Sequence, residues 1–244
     1  MRKLLPLFLA FGIISCSEHS ESLHWSYSGQ TGPEYWSSLS SEFQLCDEGT
    51  KQSPINLSGF TDEDLDPLFI EYKDGGFSAV NNGHTIQINY EAGSVLKVED
   101  RSFELKQFHF HSPSENTIEG KSFPMEMHLV HSDESGALAV LALLFEVSDE
   151  NSVIESIWSK MPQSINEPIM LDVRVNAMDL LPENKAYYRF DGSLTTPPCS
   201  EGVTWLVFKE PTSVSSDQVE LFLNEIGHPN ARPIQDLNGR LVIE

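Results

Sequence analysis

The sequence has few basic residues: 15 Lys and Arg stand against 37 Asp and Glu in 244 positions, which gives a formal net charge of −22 at pH 7. A surface of this sign repels phosphate backbones, so we expect no nucleic-acid partner. It also provides no long-range attraction for an anionic substrate. A small neutral substrate fits this charge balance better.

The sequence also lacks an apolar run long enough to span a bilayer as a helix, because the run at residues 4–14 has only eleven positions. Preceded by Met-Arg-Lys, this run predicts a secretory signal at residues 1–15. The following Ile13-Ile14-Ser15-Cys16 resembles the bacterial lipoprotein cleavage box, in which the cysteine becomes the lipid-bearing first residue. An ordinary signal peptide is the alternative. We therefore expect an exported protein of the periplasm or cell envelope, anchored through Cys16, with residues 16–23 as a polar tether.

Only three cysteines are present, which is an odd number for an exported chain. If Cys16 carries the lipid, Cys46 and Cys199 remain, and two cysteines in an oxidising compartment are expected to pair. The alternative is a pair of buried free thiols.

Helical spacing is scarce, and internal repeats and low-complexity tracts are absent. Helical spacing is clear only around Val153, Ile157 and Trp158 and at residues 219–226. For the second stretch, Ser215 and Ser216 are candidates for the N-terminal cap, and Gly227 marks the end. Period-two alternation, which is typical of strands, recurs at residues 85–90, 103–111, 126–131 and 203–208. The continuous apolar run at residues 138–147 predicts a central strand buried on both faces. These patterns favour one mainly β domain with peripheral helices over residues 24–244.

Two of the predicted strands carry histidines. Because alternate residues of a strand point the same way, one face of the first strand is predicted to carry Phe103, Leu105, Gln107, His109 and His111. By the same rule, one face of the second carries Glu126, His128 and Val130. A His-x-His pair alone is also common on protein surfaces. If the two strands are neighbours, however, the three imidazoles meet, and three neutral histidines with one open position are typical of catalytic zinc.

Gln107 and Glu126 each stand two residues before a candidate ligand, on the same predicted face. A metal-bound imidazole usually donates its other N–H to a carboxylate, amide or carbonyl oxygen. We therefore expect Gln107 to orient His109 and Glu126 to orient His128. The alternative is that each finds some unrelated hydrogen bond.

Further motifs extend across the chain, in this order: Gln52-Ser53-Pro54-Ile55-Asn56-Leu57, Asn81-Asn82-Gly83-His84, Gln107-Phe108-His109-Phe110-His111, Ser114-Glu115, Glu126-Met127-His128-Leu129-Val130-His131, Ser193-Leu194-Thr195-Thr196-Pro197-Pro198, Val203-Thr204-Trp205 and Ala231-Arg232-Pro233-Ile234. With these motifs, the sequence from Trp25 to Arg240 resembles an α-class carbonic anhydrase of the bacterial, exported kind. The resemblance implies a large twisted, mostly antiparallel sheet with zinc at the base of a conical cleft. It also implies reversible hydration of carbon dioxide to bicarbonate and a proton by zinc-bound hydroxide.

The resemblance also implies roles for individual residues. His109, His111 and His128 match the zinc ligands, and His84 matches the proton shuttle. Thr195 matches the hydroxyl that accepts the hydroxide proton while donating to Glu115. Thr196, next to Thr195, matches a residue of the substrate pocket. The apolar wall of that pocket is matched by Val130, Val140, Leu194, Val203 and Trp205.

Other matches concern the framework and the partners. Cys46 and Cys199 match the disulfide of secreted members, and Ser53-Pro54 and Pro197-Pro198 match cis peptide bonds. Carbon dioxide and bicarbonate are the implied partners, and we expect membrane contact only through the lipid anchor. The sequence does not determine the oligomeric state, for which a homodimer is one candidate.

The sequence departs from the family at four positions and leaves two rival hypotheses. Ser112 and Ser132 replace tryptophans of many animal members, Asn116 replaces a structural histidine and Gln87 replaces a pocket asparagine; none of these changes removes a ligand.

A cupin-type metal protein would explain the spacing of His109, His111 and Glu115. The cupin motif, however, expects a glycine at the position that Phe103 occupies here. A non-catalytic carbonic-anhydrase-like binding domain would typically have lost zinc histidines, and all three are present.

Overall fold

The structure is a computed structural model that describes residues 24–244. The predicted signal, tether and lipidation site at Cys16 lie outside the described residues. Among the helices of residues 24–244, none has both the length and the apolar character needed to cross a bilayer.

Strands dominate the described part of the chain. The strands are β1 (Asn56–Leu57), β2 (Phe69–Glu71), β3 (Asp74–Asn81), β4 (Ile86–Tyr90), β5 (Val95–Val98), β6 (Arg101–His111), β7 (Thr117–Ile118), β8 (Met125–Ser132), β9 (Leu138–Val147), β10 (Ile169–Asn176), β11 (Tyr187–Ser193), β12 (Glu201–Phe208) and β13 (Thr212–Val214). The α-helices are α1 (Trp36–Leu39), α2 (Leu45–Glu48), α3 (Ser152–Trp158) and α4 (Ser216–Ile226). Short 3₁₀ turns lie at Gly29–Thr31, Pro33–Tyr35, Ser41–Phe43 and Ala177–Leu180.

One large sheet organises the domain. Its main path runs β10-β3-β4-β6-β8-β9-β12-β11, with β5 and β2 continuing from β6 and β13 pairing with β9. Most neighbours are antiparallel, and β9 pairs in parallel with β12 and with β13. The predicted fold class, a mainly β domain with peripheral helices, is confirmed.

Strand β9 lies near the middle of this sheet and is buried on both faces, as its continuous apolar run predicted. Its successive side chains alternate between two apolar clusters. We call the one that contains Leu141, Trp158 and Phe222 the helix-side core, because α3 and α4 cover it. We call the other, which contains Val140 and Trp205, the site-side core.

Helix α4 begins and ends where the sequence indicated, and α3 covers the helical spacing around Val153 and Trp158. Ser215 caps α4 by accepting a hydrogen bond from Gln218 N, and the Gln218 side chain accepts one from Ser215 N, which completes a capping box. Gly227 ends α4 with φ 77°, a left-handed conformation that favours glycine. The Asn151 side chain caps the start of α3 by accepting hydrogen bonds from Val153 N and Ile154 N.

Strand β6 contains a β-bulge that the period-two pattern did not predict. Leu105 is paired with His131 of β8, whereas Gln107 is paired with Val130, so two steps along β6 match one step along β8. Lys106 is the extra residue. A bulge of this kind reverses which side chains of the strand face each side of the sheet.

The bulge makes one prediction wrong. Phe103 and Leu105 belong to the helix-side core, and Phe108 continues that core beyond the bulge. His109 and His111 alternate with Phe108 and therefore face the site-side core. Phe103 and Leu105 thus do not share the face of the histidines.

Residues 25–53, which we call the N-terminal layer, contribute most of a third and smaller apolar cluster, which also contains Cys199. Trp36 is fully buried there beside a disulfide that joins Cys46 to Cys199. The peptide bonds before Pro54 and Pro198 are cis, as the family resemblance implied, and the bond before Pro113 is also cis.

Candidate metal centre

Neighbouring strands β6 and β8 bring three histidines together. His109 is paired directly with His128, and His111 is paired with Glu126. One ring nitrogen from each histidine lies within 4.8 Å of the other two, the only such group of metal-binding side chains found among residues 24–244. Because His111 and His128 are almost fully buried, the group is held away from bulk water.

Each imidazole, as the neutral ring, donates its single N–H to an oxygen. His109 Nδ1 lies 2.9 Å from Gln107 Oε1, and His128 Nε2 lies 2.9 Å from Glu126 Oε1. His111 Nδ1 lies 2.7 Å from the main-chain oxygen of Asn230. The nitrogens left over are those that approach one another, so the three rings are fixed in orientation and in tautomer.

Glu126 is itself held by donors from the loop after β6. Its Oε2 accepts from the main-chain N–H groups of Glu115 and Asn116, at 2.7 and 2.8 Å. The side-chain amide of Asn116 donates to Oε1 at 2.6 Å and accepts from Ile55 N at 3.1 Å. Asn116, which replaces a histidine of other family members, therefore still serves to position Glu126.

Burial determines the protonation of the three histidines. It lowers the pKa of His109 and of His128 well below the usual range, and the neighbouring imidazoles lower both further. Burial also lowers the pKa of His111. The rings are therefore neutral at pH 7, the form in which imidazole binds a metal.

Glu115 is a buried carboxyl beside these rings. Burial raises its pKa to about 8, while donors from Arg232 and Thr195 oppose the rise. Its Oε1 accepts from Arg232 N at 2.9 Å, and Oε2 has no hydrogen bond of standard geometry. The Thr195 hydroxyl lies close enough to the Glu115 carboxyl to oppose the rise in its pKa, without forming a hydrogen bond of standard geometry. A dication among the three histidines would lower the pKa of this carboxyl again.

The five residues predicted to form an apolar wall lie together in the site-side core. Val140, Val203 and Trp205 are buried there, with Val130 and Leu194 packed against them. The ring centres of Trp205 and His128 lie 4.9 Å apart, in an edge-to-face arrangement. The wall therefore lies directly beside the histidines.

A cavity of about 140 Å³ opens beside His109 and His111. It is lined by Trp25, Tyr27, Asn82, His84, Thr85, Gln87, Gln107, His109, His111 and Thr196. His84 lies on its wall with its ring flat against Trp25, at 3.7 Å between ring centres and 7° between planes. Burial, with smaller contributions from His24 and His228, lowers the pKa of His84 to about 4.

Sequence reasoning missed two residues at this centre. Asn230 accepts from His111 through its main chain, and its side chain joins Ser112 N, Phe110 O and His84 O. Arg232 donates to Glu115. The motif Ala231-Arg232-Pro233-Ile234 pointed to this segment without giving it a role.

The donor set fits a zinc ion. Nε2 of His111 is buried with no hydrogen-bond partner, which is costly in a protein unless something else binds that nitrogen. Three neutral imidazoles with room for a fourth ligand are the donors of catalytic zinc sites, of which carbonic anhydrase is a standard example. The fold and these side chains therefore define a three-histidine metal centre of a hydrolytic or hydrating type.

Comparison with known proteins gives the family. A model of the eukaryotic-type carbonic anhydrase family matches residues 31–244. A carbonic anhydrase from Neisseria gonorrhoeae is 46% identical over 239 residues, covering 98% of this chain and 94% of that protein.

Solved structures agree. A hyperthermostable carbonic anhydrase from an active hydrothermal vent chimney has a TM-score of 0.89 and 48% identity, covering 91% of this chain and 99% of that one. The α-carbonic anhydrase of Thermovibrio ammonificans, in complex with the inhibitor sulfanilamide, has a TM-score of 0.89 and 45% identity over the same shares.

The chain belongs to the eukaryotic-type, or α-class, carbonic anhydrase family. It is an enzyme that catalyses the reversible hydration of carbon dioxide to bicarbonate and a proton. The cupin hypothesis is set aside, because the large sheet is that of the carbonic anhydrases.

Proposed function

We propose that the hydration takes place at a zinc ion held by His109, His111 and His128. The observation that carries this proposal is the convergence of three imidazole nitrogens within 4.8 Å, with His111 Nε2 buried and unpaired. Zinc in such a site supplies a nucleophile at neutral pH by lowering the pKa of its bound water to about 7, the value known for carbonic anhydrases. Gln107, Asn230 and Glu126 keep the three rings in the geometry that binds the metal.

Thr195 and Glu115 orient the attacking oxygen. With Glu115 as the acceptor for the Thr195 hydroxyl proton, the Thr195 oxygen can only accept in its turn. The oxygen that donates to it is then turned with a lone pair towards the substrate carbon. Orientation of this kind removes part of the entropic barrier to the reaction. Arg232 N, 2.9 Å from Glu115 Oε1, keeps the carboxyl from rotating away.

The apolar wall holds the substrate. Carbon dioxide has no net charge and no strong hydrogen-bonding group, so a surface made of Val140, Val203 and Trp205 can keep it weakly and close to His128. Thr196 lines the cavity together with His109 and His111. Bicarbonate is charged and strongly hydrated, so this apolar surface favours its release.

His84 carries the proton outward. Each turnover leaves one proton to be removed from the centre, and His84 lines the cavity that contains His109 and His111. An imidazole can accept a proton on one ring nitrogen and release one from the other. The cavity gives it contact with the centre, and its half-exposed position gives it contact with solvent.

Removal and return of the metal test this proposal. Protein stripped with a chelator should lose carbon dioxide hydration, and one equivalent of zinc should restore it. Mass spectrometry under native conditions should show one zinc per chain in the active form. Full activity of metal-free protein would contradict the proposal.

We further propose that the enzyme is exported and lipid-anchored through Cys16. The charged start, the short apolar run at residues 4–14 and Ile13-Ile14-Ser15-Cys16 support this proposal. In its host, Cys16→Ser should move the protein from the membrane fraction to the soluble exported fraction, whereas Ser17→Ala should not. An unmodified N-terminus beginning elsewhere would contradict it. A homodimer stays a prediction, which native mass spectrometry of the same samples tests.

A further inference from the structure

We propose that Arg232 is a positioning residue for the hydration step. Its guanidinium fixes segment 230–232 to the N-terminal layer, and the main chain of that segment in turn fixes His111 and Glu115. The proposal rests on the proposed roles of His111 and Glu115 and adds a residue that lies outside the cavity.

The side chain of Arg232 is buried, with 3% of the residue exposed. Its Nη1 donates to Gln52 Oε1 at 2.9 Å and to the main-chain oxygen of Ser53 at 2.7 Å. Its Nη2 donates to the main-chain oxygen of Cys46 at 2.8 Å. The guanidinium carbon lies 5.5 Å from the ring centre of Trp36. All these partners belong to residues 36–53, so one side chain joins the C-terminal segment to the N-terminal layer.

The main chain of the same segment serves the metal centre. Asn230 O accepts from His111 Nδ1 at 2.7 Å, and Arg232 N donates to Glu115 Oε1 at 2.9 Å. Only Ala231 separates the two contacts. The segment belongs to no strand or helix. At one end the Asn230 side chain is bonded to main-chain groups of Ser112, Phe110 and His84, and at the other end the guanidinium of Arg232 is the anchor. Loss of the guanidinium contacts would therefore free the Glu115 contact directly and leave the His111 contact supported from the Asn230 side alone.

Arginine is needed here because its planar fork donates in several fixed directions at once. Lysine keeps the charge but offers a single nitrogen, which cannot reach acceptors on two sides of the fork. Methionine is close in length and has no donor, so the oxygens of Cys46 and Ser53 would stay buried without this partner. The three side chains therefore give a graded series.

Arg240 offers a matched control. Its guanidinium also donates to three main-chain oxygens, those of Leu237, Asp191 and Asp236, at 2.7 to 2.9 Å. None of these residues lines the cavity or contacts a ligand histidine. Substitution of Arg240 therefore reports the general cost of losing such an anchor.

The test compares Arg232→Met and Arg232→Lys with Arg240→Met and Arg240→Lys, all loaded with zinc. Three quantities are measured: kcat/KM for carbon dioxide per folded molecule, the rate of zinc loss to an excess of chelator, and Tm. Residues that orient metal ligands typically change affinity or activity 10- to 100-fold. We expect Arg232→Met to lower kcat/KM and accelerate zinc loss by about tenfold each, with Arg232→Lys between it and the wild type.

Both Arg240 variants should stay within about twofold of the wild type in kcat/KM and zinc loss, even where their Tm falls, since a factor of two is only about 0.4 kcal/mol. The proposal is overturned if the Arg232 variants match the Arg240 variants in both rates at equal Tm. If Arg232→Met does not fold, the same comparison with the Lys variants decides. Wild-type protein that hydrates carbon dioxide without zinc would overturn the proposed metal centre instead, whatever the Arg232 variants do.

Discussion

His109 and His128 face each other across the antiparallel pair β6–β8, with their ring centres 5.4 Å apart. This pairing sets the metal centre, because a shift of one residue in either strand would send a histidine to the opposite face. His131, three residues after His128 on the same strand, illustrates the point. It lies on the opposite face, where its Nε2 is 2.7 Å from the Tyr72 hydroxyl.

The first prediction uses these two histidines of β8. His128→Ala should remove stoichiometric zinc and carbon dioxide hydration together, because two imidazoles bind zinc far more weakly than three. His131→Gln, the control on the other face, should keep both. Zinc content by mass spectrometry and activity are measured on the same samples. Full zinc occupancy in His128→Ala would remove His128 from the ligand set.

The second prediction separates orientation from metal binding. Thr195→Val should keep one zinc per chain but lower kcat/KM at least tenfold, because only the hydroxyl contact with Glu115 is removed; tenfold corresponds to about 1.4 kcal/mol. Thr212→Val is the matched control, since the Thr212 hydroxyl is buried, has no hydrogen-bond partner and does not line the cavity. If Thr195→Val keeps half of the wild-type kcat/KM, Thr195 does not orient the attacking oxygen.

The third prediction concerns the pH dependence of stability. Burial lowers the pKa of His131 to about 4, whereas an unfolded histidine has a pKa of about 6.5. Between these values the unfolded chain binds a proton that the native protein does not. The free energy of unfolding should therefore decrease as the pH falls from about 6.5 to 4, by up to about 3 kcal/mol from this residue.

His131→Gln tests that dependence. The variant should show a shallower loss of stability in urea between pH 6.5 and 4 than the wild type, and the two curves should run parallel above pH 7. The comparison cancels the titration of other groups, because both proteins share them. Identical slopes over the whole range would show that His131 does not contribute.

The sequence was sufficient to predict five of the thirteen strands of residues 24–244, β4, β6, β8, β9 and β12, and the convergence of the three histidines. Alternation or a continuous apolar run is readable wherever a strand is long and its ladder is unbroken. It failed at the bulge of β6. The apolar residues of that strand shift from odd to even positions between Leu105 and Phe108, and this change of parity was a readable sign of an extra residue at Lys106. The assumption of a single face across 103–111 overlooked it.

The contacts of Asn230 and Arg232 show a different limit. His111 is held by a main-chain oxygen, and Glu115 by a main-chain N–H, so neither contact is made by the side chain of Asn230 or Arg232. Such contacts leave no pattern in the residue types. They follow from the three-dimensional course of a segment more than a hundred residues away from the strands it serves.

The last prediction concerns the route of the proton. His84 is half buried, and its ring lies against Trp25 at 3.7 Å. His84→Ala should lower kcat in dilute buffer by at least tenfold while sparing kcat/KM, because attack on carbon dioxide precedes the proton transfer, and a positioned acid–base group typically contributes 10²–10⁴-fold. Imidazole added to the buffer should restore kcat in this variant. His131→Gln, at a histidine that contacts Tyr72 and does not line the cavity, should leave kcat within about twofold, a change of only about 0.4 kcal/mol. Trp25→Leu adds a second test. Without the Trp25 ring, the His84 imidazole is more exposed to water, so its pKa should rise from about 4 towards 6.5. The kcat at neutral pH should then rise in dilute buffer. An unchanged kcat in His84→Ala would mean that the proton leaves by another route.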